Sequence, residues 1–499
     1  MNDLAQKGGR VRLGAATLGD LPAGISRPNY DRSDLRPGIV HIGLGNFHRA
    51  HQAWYLHRLM QQGAAQDWAI IGAGVRSYDA GMRDHLIAQD CLSLLIELHP
   101  ERMSAEVIGS MIDYLPVEED NRNLIRIMSD PAIRIVSLTV TEGGYYIDPV
   151  SKGLDIGHPD IRHDVAHPET PRTAFGAMVA ALKARRAAGQ RPFTAQSCDN
   201  LQGNGAILRQ TIVSLAGLTD PDLARWIDTT AAFPNSMVDC IVPATGPREV
   251  ARAAALGIDD PVPVTHEDFR QWVIEDDFCA GRPDWDLVGA TFTDAVDDFE
   301  AMKIRILNAG HQVIANAGEL LSIPTIAECM RHPVIAGFFR KVQTTEIAPY
   351  VAPVPDMTPQ QYIRLIETRF ANAAIMDTTR RVAFDGSARH TGFVVPIIRD
   401  ALLAGGSLGG LALTEALWAR MCAGTREDGS HIDANDPHWQ DLQETALASR
   451  TDPEKWLAQR QYYGDLADVD VFANGFSDWL KMIWANGSEA AITLYTSLK

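Results

Sequence analysis

At 499 residues the chain exceeds what one hydrophobic core usually supports, so two domains are expected. Hydrophobic residues at 46% and charged residues at 22% are the balance of a soluble globular protein, and a formal net charge of −18 argues against nucleic acid and anionic membrane surfaces as partners. No apolar run approaches the roughly 18 residues of a membrane span, and residues 1–10 lack the apolar stretch of a secretory leader, which predicts a cytoplasmic protein.

Residues 1 to about 36 are mixed and proline-dotted, an arm expected to lie on the first domain. Ile39, Val40 and Ile42 then make a short apolar run, broken by Gly43 and Gly45, before a helical stretch to about Gln62. Strand, glycine turn and helix together put a pyrophosphate on a helix N-terminus, where free N–H groups and the helix dipole favour anions. The usual third glycine is missing, because His48 stands there. Trp68–Val75 reads as a second strand, and Asp79 after it is placed to accept from an adenosine ribose hydroxyl and to repel a 2′-phosphate. The alternative for Asp79 is an ordinary helix cap.

His48, His51 and His57 have no carboxylate or cysteine at metal-ligand spacing, so packing or phosphate-proximal roles are expected and no metal is assigned. The six cysteines, Cys91, Cys198, Cys240, Cys279, Cys329 and Cys422, are scattered without Cys-x-x-Cys spacing, which indicates neither a zinc ribbon nor a disulfide framework. Further strands are expected at 133–140, 193–197, 237–242 and 287–292, with helices such as 175–186 between them. That alternation predicts a largely parallel sheet with helical crossovers. Beyond about residue 296 the strand signals fade into helical stretches at 297–321, 359–376 and 410–423. The expected division is therefore 1–296, an α/β nucleotide-binding domain with its arm, and 297–499, a mainly helical domain that carries the chemistry across a cleft from the cofactor.

The second domain opens on Glu300-Ala-Met-Lys-Ile-Arg-Ile-Leu-Asn-Ala-Gly-His311. At about 100° per residue, Glu300, Lys303, Asn308 and His311 fall within an arc of about 140° on one α-helical face. Lys303 to His311 spans roughly 12 Å of helix axis, the length of an extended six-carbon substrate. A base, two polar anchors and a carboxylate presented together form a candidate site. The competing reading is a solvated face, with Asp297 and Glu300 forming a capping box.

These blocks together resemble the polyol-specific long-chain dehydrogenases, the mannitol 2-dehydrogenase family that includes fructuronate and tagaturonate reductases and D-arabinitol 4-dehydrogenase. The likeness rests on Gly43-x-Gly-x-Phe-x-Arg-x-His51, Thr139-Val-Thr-Glu-Gly-Gly144, Ser197-Cys-Asp-Asn200, Phe233-Pro-Asn-Ser-Met-Val-Asp239, Lys303-x4-Asn308-x2-His311 and Asp385-Gly-Ser387. The resemblance implies a Rossmann-like N-terminal domain, a mainly α-helical C-terminal domain and a zinc-free, NAD-dependent reaction, with NADP less expected. By resemblance, Lys303 is the general base, Asn200 and Asn308 bind the oxygen that becomes a carbonyl, His311 orients the substrate and Glu300 couples Lys303 to water. Val238, Asp239, Arg381 and Arg389 line the substrate chain. Gly43, Leu44, Gly45, Asn46, Phe47, Arg76, Asp79 and Glu142 hold the cofactor. A lysine stays protonated at neutral pH when solvated, so burial or a cationic neighbour must depress it before it acts as a base.

Three departures bear on the substrate. Cys240 replaces the arginine that usually follows Val-Asp, Arg389 stands where the mannitol enzymes commonly have lysine, and Tyr78 beside Asp79 is often acidic in them. Arg381 with Arg389 suits a carboxylate, so hexuronate reduction is the alternative to polyol–ketose interconversion. A short-chain dehydrogenase is set aside because the one Tyr-x-x-x-Lys pair, Tyr495 to Lys499, ends the chain. Ligands for a zinc alcohol dehydrogenase are lacking too. A silent nucleotide sensor is disfavoured by the intact Lys303, Asn308 and His311 set. The expected partner is a small polyol or ketose, and a monomer or small homo-oligomer is expected because no long heptad seam appears.

Overall fold

The computed structural model describes residues 9–148 and 151–498, and gives only the main chain of Glu142. The chain divides into two compact units after Asp297.

The first unit is built on five parallel strands: β1 (Pro37–Ile42), β2 (Ala69–Ala73), β3 (Met111–Tyr114), β4 (Ile135–Leu138) and β5 (Thr194–Ser197), in the spatial order β3-β2-β1-β4-β5. This is the order of a doubly wound dinucleotide-binding sheet, which reverses direction between β1 and β4. β1, β2, β4 and β5 are almost wholly buried, as strands covered on both faces are, so even their polar residues His41, Ser137 and Gln196 are shut from water. Side chains still alternate between the two faces. Val40 and Ile42 join the core with Phe175, Met178, Leu208 and Ile212, while Ile39 joins Leu56, Leu59 and Trp272 on the other face. Ile42 pairs with Ala73 on one side and Leu138 on the other, and Leu138 with Ser197, so four strands end in line. The turns after them gather along one carboxyl edge.

Several expectations need correction. The segment expected as a strand at 237–242 is Ser236–Asp239, and it pairs antiparallel with Gln271–Ile274 in a separate three-stranded sheet. In 287–292 only Thr291–Phe292 is extended; Trp285–Val288 is a 3-10 turn that buries Trp285 and leaves Leu287 62% exposed. An antiparallel hairpin, Ser93–Leu98 with Met103–Ile108, went unread and organises a four-stranded sheet. The arm adds edge strands: Val11–Arg12 pairs with Ile258–Asp259, and Ile25–Ser26 with Ala105 and Glu106.

The second unit is helical. Gly409–Cys422 is buried on every face, and Pro359–Phe370 begins at a capping box made by Thr358 and Gln361. The stretch 297–321 is three segments: an α-helix Val296–Met302, a π-helical turn Lys303–Asn308 and an α-helix Ala309–Leu320. The first helix starts at Val296, so Asp297 lies in its first turn and not at the N-cap position that the capping-box reading gave it. Two further π turns, Gln343–Ile347 and His390–Val394, pack against the first. Among the described residues no helix is long and apolar enough to cross a membrane.

Candidate active site

In the first unit, the carboxyl edge of the parallel sheet carries the nucleotide features. Gly43 follows β1 at φ +87°, and a Cβ there would lie 2.2 Å from the Thr139 carbonyl oxygen at the end of β4. Only glycine allows the two strand ends to come this close. Thr139 Oγ1 donates to Gly43 O at 2.7 Å and closes the turn. At Gly45, the N-cap of the next short helix, a Cβ would meet nothing within 4 Å. That open space beside free helix amides fits a pyrophosphate.

The turn is fixed from behind by a residue the sequence reading left without a role. Arg49, fully buried, donates to Val262 O at 2.6 Å and to Asn46 Oδ1 at 2.7 Å. Asn46 Nδ2 in turn donates to Pro243 O at 3.0 Å and Thr245 Oγ1 at 2.9 Å. Leu44 is buried and Phe47 stacks on His51, so the side chains of Leu44, Asn46 and Phe47 serve the turn itself, and a cofactor would meet main chain. The signal for Arg49 was its place in the Gly-x-Gly-x-Phe-x-Arg block. His48 stacks on His41 at 3.5 Å and is driven well below the usual histidine pKa by burial, the mark of a packing residue.

Asp79 opens the helix Asp79–Ile87, and its Oδ2 accepts from Val75 N at 3.1 Å and Arg76 N at 3.0 Å. Both amides precede the helix, whose N-cap is Tyr78, so Asp79 is not its cap; the two bonds fix the carboxylate just beyond β2, where a ribose discriminator would belong. Arg76 beside it donates to Tyr146 OH at 2.7 Å and pairs with Asp160 at 3.4 Å. After β4, Thr141 is held at φ 65° and ψ 164°, a region costly for a residue with a side chain. Asp199 pays that cost by accepting from Val140 N, Thr141 N and Tyr145 OH. Asp199 too was missed as a support, although Ser197-Cys-Asp-Asn200 contains it. Glu142 begins the 3-10 turn Glu142–Tyr145, and its side chain lies outside what the structure describes. Asn200 follows β5 at the same edge and is exposed; Val238 and Asp239 are buried in the smaller sheet.

In the second unit, Glu300 and Lys303 are buried, at 4% and 7% exposure. The π turn changes the phase worked out for a plain α-helix. The Ala309 amide bonds to Ile304 O, five residues back, so the turn absorbs about one extra residue. Asn308 then lies about 40° from Lys303 in place of about 140°, and His311 about 20° in place of about 80°. The arc that also includes Glu300 closes from about 140° to about 80°. Wide turns of this kind are rare and concentrate at functional sites.

His311 stacks on Phe370 at 4.1 Å, with its Nε2 3.8 Å from Asp377 Oδ2. Asp377 Oδ1 accepts from Arg381 Nε, and Arg381 Nη2 is also 2.7 Å from it. Burial pushes the Asp377 carboxyl up, and the Arg381 guanidinium opposes this. Asp377 was missed because only folding brings it to both. Arg389 donates to Val382 O at 2.6 Å. Arg380, Arg381 and Arg389 line a cavity of about 390 Å³ together with Phe384 and Asn435. Asp385-Gly-Ser387 is structural: Ser387 donates twice to Asp436, and a Cβ on Gly386 would lie 2.5 Å from Trp418 Nε1. Among the described residues no three His, Cys, Asp or Glu side chains gather as a metal-binding group.

Two family models cover most of the sequence, the mannitol dehydrogenase Rossmann domain at residues 37–287 and the mannitol dehydrogenase C-terminal domain at 295–484. A mannitol 2-dehydrogenase of Cereibacter sphaeroides is 55% identical over 468 residues, 94% of this chain and 98% of that protein. The Pseudomonas fluorescens mannitol 2-dehydrogenase, solved as a ternary complex with NAD and D-mannitol, superposes with a TM-score of 0.88 at 38% identity over 98% of this chain and 100% of that one. A D-sorbitol dehydrogenase solved in substrate-free form matches with the same TM-score at 34% identity, covering 96% and 100%. With a dinucleotide sheet in one unit, a lysine-bearing wide turn in the other and likeness along nearly its whole length, the chain belongs to the mannitol dehydrogenase family and is a polyol dehydrogenase.

Proposed function

We propose that the enzyme interconverts a polyol and its 2-ketose with NAD, using Lys303 as general base and no metal. Oxidation takes a hydride and a proton from one carbinol. NAD, when bound, supplies the hydride acceptor; Gly43, Gly45, the main chain of residues 44–47, Arg76, Asp79 and Glu142 hold it. Lys303 takes the hydroxyl proton, and Glu300 passes it toward solvent. Asn200 and Asn308 donate to the oxygen as it becomes a carbonyl, where fixed donors act most strongly on developing charge. His311 orients the carbinol, and Val238, Asp239, Arg381 and Arg389 line the rest of the chain.

The observation that carries this reading is the π turn, which brings Asn308 and His311 into near alignment with Lys303. Lys303 is buried at 7% exposure, which keeps a base there out of bulk water. D-mannitol and fructose come first, from the mannitol 2-dehydrogenase relatives and the NAD–D-mannitol complex. The arginines of the cavity favour a polyol over a uronate: Arg381 already meets Asp377, and Arg380 lies 3.9 Å from Glu319. The Asp79 carboxylate, held by two amides, disfavours the phosphate of NADP.

A rate panel of NADH and NADPH against fructose, xylulose, fructuronate and tagaturonate tests the assignment. Fructose turnover with NADH is expected, and turnover confined to the uronates overturns the substrate. Lys303→Ala should lower kcat by about 10² to 10⁴, and near-normal turnover in that variant refutes the base.

A further inference from the structure

We propose that Gln343 is a positioning residue for this reaction, holding the helix of Lys303, Asn308 and His311 in its wide-turn form. The proposal rests on the reading of Lys303 as base. Gln343 is fully buried and opens the second π turn. Its Nε2 donates at 2.8 Å to Ile306 O, a carbonyl in the middle of the Lys303–Asn308 turn. In a regular α-helix that carbonyl points along the axis to the amide of Gly310. Here an amide from outside the helix reaches it.

The approach depends on Gly310. A Cβ there would lie 2.5 Å from Gln343 Nε2 and 2.9 Å from Phe339 Cε2, so any side chain would displace the amide. Gln343 is itself held from behind. Glu346, three residues on and nearly fully buried, accepts from Gly410 N at 2.8 Å, Leu411 N at 2.9 Å and Tyr495 OH at 2.8 Å. The carboxylate thus caps the buried helix Gly409–Cys422 and ties the second π turn to the centre of the unit. The Gln343 Oε1 has no protein partner, and an unpaired buried oxygen costs stability, so the amide is held here for its other end. Its Nε2 bond is what distinguishes it, and that bond goes to the turn that sets the phase of Asn308 and His311 against Lys303.

The test uses Gln343→Met, which keeps the volume and removes the donor, Gly310→Ala, which acts on the same contact from the other side, and the double variant. Each single change should lower kcat at least tenfold, because small displacements of aligned groups are costly to chemistry. NADH affinity should stay within twofold, and the double variant should be no slower than the slower single one. Purely structural damage would instead move NADH binding, melting temperature and kcat together, and that result overturns the proposal. Wild-type kcat in Gln343→Met also overturns it, while an inactive Lys303→Ala leaves the reading of Lys303 as base standing. If Gln343→Met does not fold, Gly310→Ala decides alone: wild-type kcat sinks the proposal, and a tenfold loss with unchanged NADH affinity supports it. Near-normal turnover in Lys303→Ala is the separate failure of the reading beneath it.

Discussion

Asp377 serves two side chains of the proposed site with different oxygens, Oδ1 to Arg381 and Oδ2 toward His311. Its buried carboxyl and the half-exposed Arg381 form a pair that solvent screens on one side only, so the pair does more for geometry than for stability. Asp377→Ala should release Arg381 and raise the KM for polyol about tenfold, more than it lowers kcat, since the role proposed for Arg381 is to bind the unreacted chain. Asp377→Asn keeps an acceptor and should fall between. Steady-state kinetics beside an NADH titration checks this, and an unchanged KM refutes it. The grouping of Lys303, Asn308 and His311 in the proposed site could be read from the sequence because the three lie within one short stretch of chain. Arg49, Asp199, Gln343 and Asp377 were not, because each acts through a contact made only on folding. Arg49 meets a carbonyl 213 residues away.

The strand–glycine–helix opening was legible because both faces of its strand are buried and its two glycines have separate physical duties. Gly43 relieves a backbone clash inside the fold, whereas Gly45 leaves room for something outside it. Gly43→Ala therefore meets both a left-handed φ, costing about 1–2 kcal/mol, and a carbonyl that cannot yield, so lower melting temperature and at least tenfold weaker NADH binding are expected together. Gly45→Ala, at φ −119° with open space around it, should leave the melting temperature unchanged and weaken NADH alone. If both variants melt like wild type, the close approach of β1 and β4 is not as drawn. The Lys303 helix was legible as a helix but not as a wide turn, because a pattern scored at 100° per residue has no place for an absorbed residue. The run at 287–292 misled for a different reason. Short apolar runs do not distinguish strand from turn, and there Trp285 is buried while Leu287 is exposed.

Acid sets two whole-molecule effects against each other. The formal net charge of −18 shrinks as carboxylates protonate, which lessens self-repulsion and favours the folded state. Against it stand four buried histidines of the first unit, His41, His48, His57 and His266. Burial lowers His41, His57 and His266 to about 3, and His48 also falls well below its ordinary value. In the unfolded chain each protonates below about 6.5. Between that pH and the folded value the unfolded state binds more protons, so their stabilising contribution is intact above about 6.5 and is lost as pH falls. Each group contributes a slope of about 1.4 kcal/mol per pH unit. Even if the stacked His41 and His48 take up only one proton between them, the loss between pH 7 and pH 5 is several kcal/mol, a large part of a typical domain's stability of about 5–15 kcal/mol. Specific burial should therefore outweigh diffuse repulsion. Urea unfolding followed by circular dichroism should give a midpoint that falls steeply from pH 7 to pH 5. His48→Phe should make that fall shallower, since neither ring nitrogen of His48 has a hydrogen-bond partner to lose. A midpoint that stays level or rises toward pH 5 would mean that these histidines take up protons while the chain is still folded.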